Sequence, residues 1–208
     1  MTFRIGQLDI ELSFPLVALM TAVIVFDTTM TVVICFIAII LHEAGHIFSL
    51  GFYGSFPKKI KITLFDISIS DEGKYLRNSK KELIVILSGV TVNFICSIIF
   101  FIMFLCTDII FFKNLSASNF ALGTFNILPI DSLDGGQALF ILLSKHFSLY
   151  KSLIILDIIS FVFLIPTACI GFLILFQSKY NFTLLLTSLY LIVIILLKHR
   201  HFFFHNKN

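Results

Sequence analysis

The sequence predicts an all-α polytopic membrane protein of about six transmembrane helices, with a short membrane-associated β-hairpin or loop between helices two and three. Three observations carry that expectation. The 208 residues are 58% hydrophobic and only 13% charged, and the mean hydropathy of +1.03 lies well above the soluble globular range. Apolar residues gather into runs of about 20, the length that crosses a hydrocarbon core of roughly 30 Å. Lysine and arginine are confined to the segments between those runs and are unevenly shared between the two sides.

In chain order the spans fall near residues 12–26, 30–52, 83–105, 117–143, 152–176 and 182–197, and together they fill 1–208 as a single intramembrane domain. The first (LSFPLVALMTAVIVF) is short and ends at Asp27. Its leader carries one Arg and two acids, and no small-residue cleavage site follows, so it reads as a retained helix and not a signal peptide. The second span holds Leu41-His42-Glu43-Ala44-Gly45-His46. A polar stretch runs from Gly54 to about Glu82. Within it Lys59–Leu64 and Asp66–Ser70 alternate polar with apolar residues, the period of extended strand. Residues 107–114 read as a loop. The fourth span is interrupted by Pro129 and the Gly135-Gly136 pair, and broken helix at membrane depth belongs where it is buried or lines a wet cavity.

Placing both termini on the cytoplasmic side puts all 15 Lys and Arg there except Lys113 and Lys179. That asymmetry is the positive-inside pattern and supports an even number of spans. The net charge of +3 is a topology signal of this kind, and nothing resembles a nucleic-acid-binding module. Cys35, Cys96, Cys106 and Cys169 form no CxxC pair and read as packing residues.

The chemistry is concentrated in the second span. On a helix His42 and His46 stand four residues apart, so their imidazoles share a face one turn apart. That spacing lets two neutral ring nitrogens meet one tetrahedral zinc, with Glu43 beside the first ligand as the group that takes a proton from water. Three ionisable groups within five residues of a membrane helix are costly and ordinarily functional. A hydrolytic zinc site needs three protein ligands and an open position. Asp134, in Asn126-Ile-Leu-Pro129-Ile-Asp-Ser-Leu-Asp134-Gly135-Gly136, is the outstanding candidate for the third. With both termini cytoplasmic, spans two and four run in the same direction. At 1.5 Å per residue, His46 and Asp134 both fall roughly 10–15 Å below the cytoplasmic edge.

HEAGH on an early membrane helix followed by NILPIDSLDGG on a later one resembles the site-2 protease family of intramembrane zinc metalloproteases. The similarity is to its compact branch, which includes the sporulation-factor-processing enzymes. The resemblance implies one Zn²⁺ per chain held by His42, His46 and Asp134, and Glu43 as general base. Asn126 becomes a substrate-facing residue that donates to the oxyanion. It further implies a membrane-bound protein as substrate, a bacterial cell membrane as setting, an active site toward the cytoplasmic side, and a membrane-dipping hairpin at residues 56–70. The chain carries no appended regulatory domain, so a separate regulatory membrane protein is expected.

Two positions depart from the family pattern: Val90 replaces proline after Ser88-Gly89, and Ser132 stands where relatives commonly carry proline. Neither removes a ligand. Gly89 and Asn93 share a helix face at i, i+4 and read first as helix packing. Asp131 flanks the motif, and Asp157 is a lone acid that can snorkel to the interface. His199, His201 and His205 read as part of an interfacial anchor. Two other classes share these residues: a relative that binds membrane segments without cutting them, and a metal transporter. A different membrane HExxH peptidase would take a glutamate as third ligand, and no glutamate follows Glu82.

Overall fold

The computed structural model describes residues 2–5, 8–14, 21, 30–54, 59–62, 67–69, 78–178, 185–193 and 195. Most of the first expected span, parts of the last, and the His199–His205 tail lie outside the described residues. The described chain is mostly helical, but the all-α expectation needs correcting. Strands β1 (Thr2–Ile5), β2 (Leu8–Leu12), β3 (Lys59–Ile62) and β4 (Ile67–Ile69) form one sheet in that order. β1 and β2 pair antiparallel, β2 and β3 parallel, and β3 and β4 antiparallel. The register aligns Phe3, Ile10, Ile60 and Ile69 in one row, and Arg4, Asp9 and Lys59 in the next. A period-two sequence fixes such a register, because a slip of one residue would exchange the apolar and charged rows. Leu12, expected to open a helix, closes β2 instead.

The helices sort into two compact units, residues 1–125 and 126–208. In the first, α1 (Thr31–Phe52) packs against α2 (Ser79–Thr107). Ile34, Ala38, His42, Gly45 and Ser49 are buried along one stripe of α1, the i, i+4, i+7 pattern of a helix with one inward face. Gly45 admits the close approach, since a Cβ there would lie 2.8 Å from the Ser88 carbonyl oxygen and 3.0 Å from Gly89 Cα. Asn78 caps α2, its side-chain oxygen accepting from the Lys81 N–H at 3.0 Å.

The loop expected at 107–114 is instead a sharp two-residue corner. Asp108 takes the left-handed conformation (φ 55°) and donates its N–H to the Phe104 carbonyl at 2.7 Å. This closes α2 in the αL manner, so that α3 (Ile110–Asn126) starts at once. Ser97 and Ser116 tie the two helices reciprocally: each hydroxyl donates to the other's carbonyl, at 3.0 and 2.8 Å.

In the second unit, α4 (Asp134–Leu143) packs on α5 (Leu149–Ser178). Ser152, Leu156, Ser160 and Leu164 are fully buried at intervals of four along α5. Residues 185–193 form a further helical segment, α6, in which Ser188 is fully buried and Leu191 is buried. The expected fourth span is two helices, not one interrupted helix, with the break at residues 127–133. Pro129 disfavours helix at Leu128, and the chain turns through bonds from the Ile130 N–H to the Leu128 carbonyl and from the Leu133 N–H to the Ile130 carbonyl, each 2.8 Å. Gly135 and Gly136, expected within the break, lie in the first turn of α4. A Cβ on either would run into the Ile127 or Ile130 carbonyl.

Among the described residues three helices are long and apolar enough to cross a membrane: Thr31–Phe52, Ser79–Thr107 and Leu149–Phe176, with mean hydropathies of 2.0, 2.5 and 2.6. Large apolar side chains such as Phe48, Phe52, Leu105 and Phe176 face outward. Such a surface suits lipid and would associate in water. All four cysteines are free thiols. Cys35, Cys106 and Cys169 are exposed, a correction to their reading as packing residues.

Candidate metal centre

α1 crosses the first unit with an apolar sequence free of proline, and its buried stripe carries His42 and His46 into the contact with α2. His42 is buried and His46 half-buried. His46 Nδ1 lies 2.9 Å from the Val85 carbonyl oxygen. A carbonyl only accepts, so Nδ1 is the protonated nitrogen of that ring. His42 Nδ1 donates to Asn93 Oδ1 at 2.6 Å. Each ring therefore turns Nε2 to the other, and the two nitrogens are 3.2 Å apart with the rings at 83°. In neutral imidazoles protonated at Nδ1 those are two lone pairs facing one another, an arrangement that a cation relieves. Around a tetrahedral metal with bonds of about 2.0–2.1 Å, neighbouring ligand atoms stand about 3.3 Å apart. The donor set fits.

Gly89 of α2 makes the room. A Cβ at that position would lie 2.8 Å from His42 Cε1 and closer still to His46 Nε2, so any side chain there fills the space the imidazoles occupy.

In the second unit Asp134 is the first residue of α4, where a carboxylate is favoured by the exposed N–H groups and the helix dipole. Its approach is held by α5. The Asp131 N–H donates to Ser160 Oγ at 2.9 Å, and the Ser160 hydroxyl donates to the Leu156 carbonyl at 2.8 Å. His42, His46 and Asp134 offer two ring nitrogens and a carboxylate, a set of donors that could hold a metal ion. Glu43 follows His42 on α1 and is half-buried; Asn126 is the last residue of α3 and is half-buried.

Two supports were missed in the sequence. Asn93, read as a packing residue, bonds the first histidine, and its position one turn after Gly89 was the available signal. Ser160 had none beyond being a serine in an apolar helix.

No family model matches the chain. A curated zinc metalloprotease of Methanocaldococcus jannaschii is 29% identical over 126 residues, 58% of this chain. The chain spans about a third of that relative's length, 36%. A solved structure, the site-2 protease from Methanocaldococcus jannaschii, matches with a TM-score of 0.66 at 26% identity, over 92% of this chain and 91% of that one. The chain is similar to the site-2 proteases. The resemblance first carried by HEAGH and LDGG thus extends over nearly the whole fold, and with its outward-facing apolar helices the chain is a membrane protein.

Proposed function

We propose that this chain is an intramembrane zinc metalloendopeptidase that hydrolyses peptide bonds within or near the transmembrane segments of a membrane-bound substrate protein. The observation that carries the proposal is the donor set of His42, His46 and Asp134, two ring nitrogens turned toward one another and a carboxylate, with both histidines on a helix apolar enough to cross a bilayer. Two imidazoles and a carboxylate form the ligand set of hydrolytic zinc sites, whereas structural zinc sites close all four positions. The assignment takes one Zn²⁺ per chain, held by His42 Nε2, His46 Nε2 and the Asp134 carboxylate. When bound, zinc supplies the Lewis acidity that polarises a carbonyl and makes water a nucleophile near neutral pH.

The rest belongs to the chain's own groups. Glu43 accepts the proton of the attacking water and returns it to the leaving amine nitrogen, which balances the hydrolysis. Asn126 donates its amide N–H to the oxyanion as it develops. The break at residues 127–133 leaves main-chain groups outside any helix, suited to meeting an unwound peptide. The sheet that contains β3 and β4 sits at the membrane surface in this reading, and the whole chain works as one protease domain of six spans. Both termini are cytoplasmic, the active site opens toward the cytoplasmic side, and a bacterial cell membrane is the setting. A separate membrane protein regulates access, and Val90 and Ser132 tune substrate preference.

Glu43→Gln decides between hydrolysis and its rivals. In a reconstituted system the variant should keep zinc and lose cleavage of a membrane-protein substrate by about 100-fold or more, the usual worth of a positioned general base. Cleavage at the wild-type rate would remove Glu43 from the mechanism. A wild-type chain that binds zinc and carries it across sealed vesicles without cutting would replace the protease by a transporter.

A further inference from the structure

We infer that the tautomer of His42 is set from outside the metal centre, by a relay of two buried amides, Asn93 and Asn119, anchored on main-chain carbonyls. Its consequence for zinc rests on the proposed function, whereas the tautomer itself is a property of the metal-free chain. Both amides are fully buried. Asn119 Nδ2 donates to the Leu115 carbonyl, one turn back on α3, at 2.8 Å. That bond leaves Asn119 Oδ1 as the end presented to α2, where it accepts from Asn93 Nδ2 at 3.0 Å. Asn93 Nδ2 also donates to the Ala38 carbonyl of α1 at 3.2 Å. Both hydrogens of the Asn93 amide are therefore spent on acceptors. Turning that amide over would set its oxygen against two other oxygens in a fully buried site. Asn93 Oδ1 is thus fixed toward His42, 2.6 Å from Nδ1, and an amide oxygen only accepts. The hydrogen must sit on Nδ1, and the Nε2 lone pair is the one held out to the metal.

His46 reaches the same state by a shorter route, directly from the Val85 carbonyl. The two ligands differ in what governs them: His46 is set by one main-chain bond, His42 by a chain that crosses α1, α2 and α3. Asn93 and Asn119 are positioning residues, and the carbonyl of Leu115 is the far end of the ligand's support. Partners of this kind are commonly worth 10- to 100-fold in metal affinity.

The test uses the full chain in lipid bilayers with ¹⁵N-labelled histidine and the metal stripped, the His42 signal being assigned by its loss in His42→Ala. Ring ¹⁵N shifts of the wild type should show His42 with Nδ1 protonated and Nε2 bare. Asn119→Leu, which touches neither ring, should mix the His42 tautomers, leave His46 unchanged and weaken zinc binding about tenfold. Asn93→Leu removes the acceptor opposite Nδ1 and should release the His42 tautomer, leave His46 unchanged and weaken zinc binding about 10- to 100-fold. A mere packing role predicts no change confined to the His42 ring signals in either leucine variant. A wild-type His42 protonated at Nε2 would overturn the relay without any variant, and so would an unaltered His42 signal in a folded Asn119→Leu chain. A chain that takes up no zinc would defeat the proposed function and leave the tautomer result standing.

Discussion

Gly89 has no side chain to offer the site, and that is its contribution. Its missing Cβ is where the two imidazoles lie, so Gly89→Ala pits a methyl group against His46 and His42. We expect that variant to lose zinc retention in stripped and reloaded protein. It should also lose about 1–3 kcal/mol of stability, the usual cost of overpacking, read as a lowered Tm in detergent. Wild-type zinc content would mean that the rings do not need that space. Legibility divides sharply at this scale. His42, Glu43 and His46 announce themselves, because side-chain identity at fixed helical spacing is something a sequence states outright. The partners do not. One support for the histidines is the backbone of Val85, which no residue type encodes. Another is Asn93, whose sequence context fits a helix contact as well as a hydrogen bond to imidazole.

Among the elements, the corner between α2 and α3 and the break before α4 are set by single residues. Asp108 holds φ at 55°, a conformation that a β-branched side chain resists. Asp108→Val should therefore cost about 1–3 kcal/mol in unfolding experiments, and Asp108→Gly should be neutral or stabilising. Residues 107–114 read as a loop from the sequence. No residue type encodes that one left-handed residue, Asp108, turns the chain with α-helix resuming at Ile110. At the break, Pro129 was legible; the Gly135-Gly136 pair, expected to interrupt the helix, instead opens α4, and permits close contact with the Ile127 and Ile130 carbonyls. Ser160→Ala removes the acceptor of the Asp131 N–H. It should cost about 1 kcal/mol and speed amide hydrogen exchange at Asp131 selectively. Equal exchange in both proteins would show that the break is held by other means.

For the molecule as a whole, composition was enough to put the chain in a membrane, because a mean hydropathy of +1.03 leaves no other solvent for so much apolar surface. The strands before residue 12 escaped notice, although Thr2–Ile5 and Leu8–Leu12 alternate as strands should. They were read as the leader of the first span, and their partner β3 lies about fifty residues on, a distance that pattern reading does not bridge. Side placement stands on the distribution of Lys and Arg. Introduced cysteines at residue 4 and in the 58–81 segment should react with an impermeant thiol reagent only from the cytoplasmic face, and one at residue 113 only from the opposite face. The native thiols would first be replaced by serine. Labelling of residue 113 from the cytoplasmic face would break the even-span topology.

The central proposal is that three side chains from two separate helices, His42, His46 and Asp134, hold one metal. X-ray absorption at the zinc edge, on wild-type protein and on Asp134→Asn, addresses it directly. The account predicts one zinc per chain bound by two imidazoles and a carboxylate oxygen in the wild type, with zinc occupancy markedly reduced in the variant. A zinc shell that is identical and fully occupied in Asp134→Asn would contradict it.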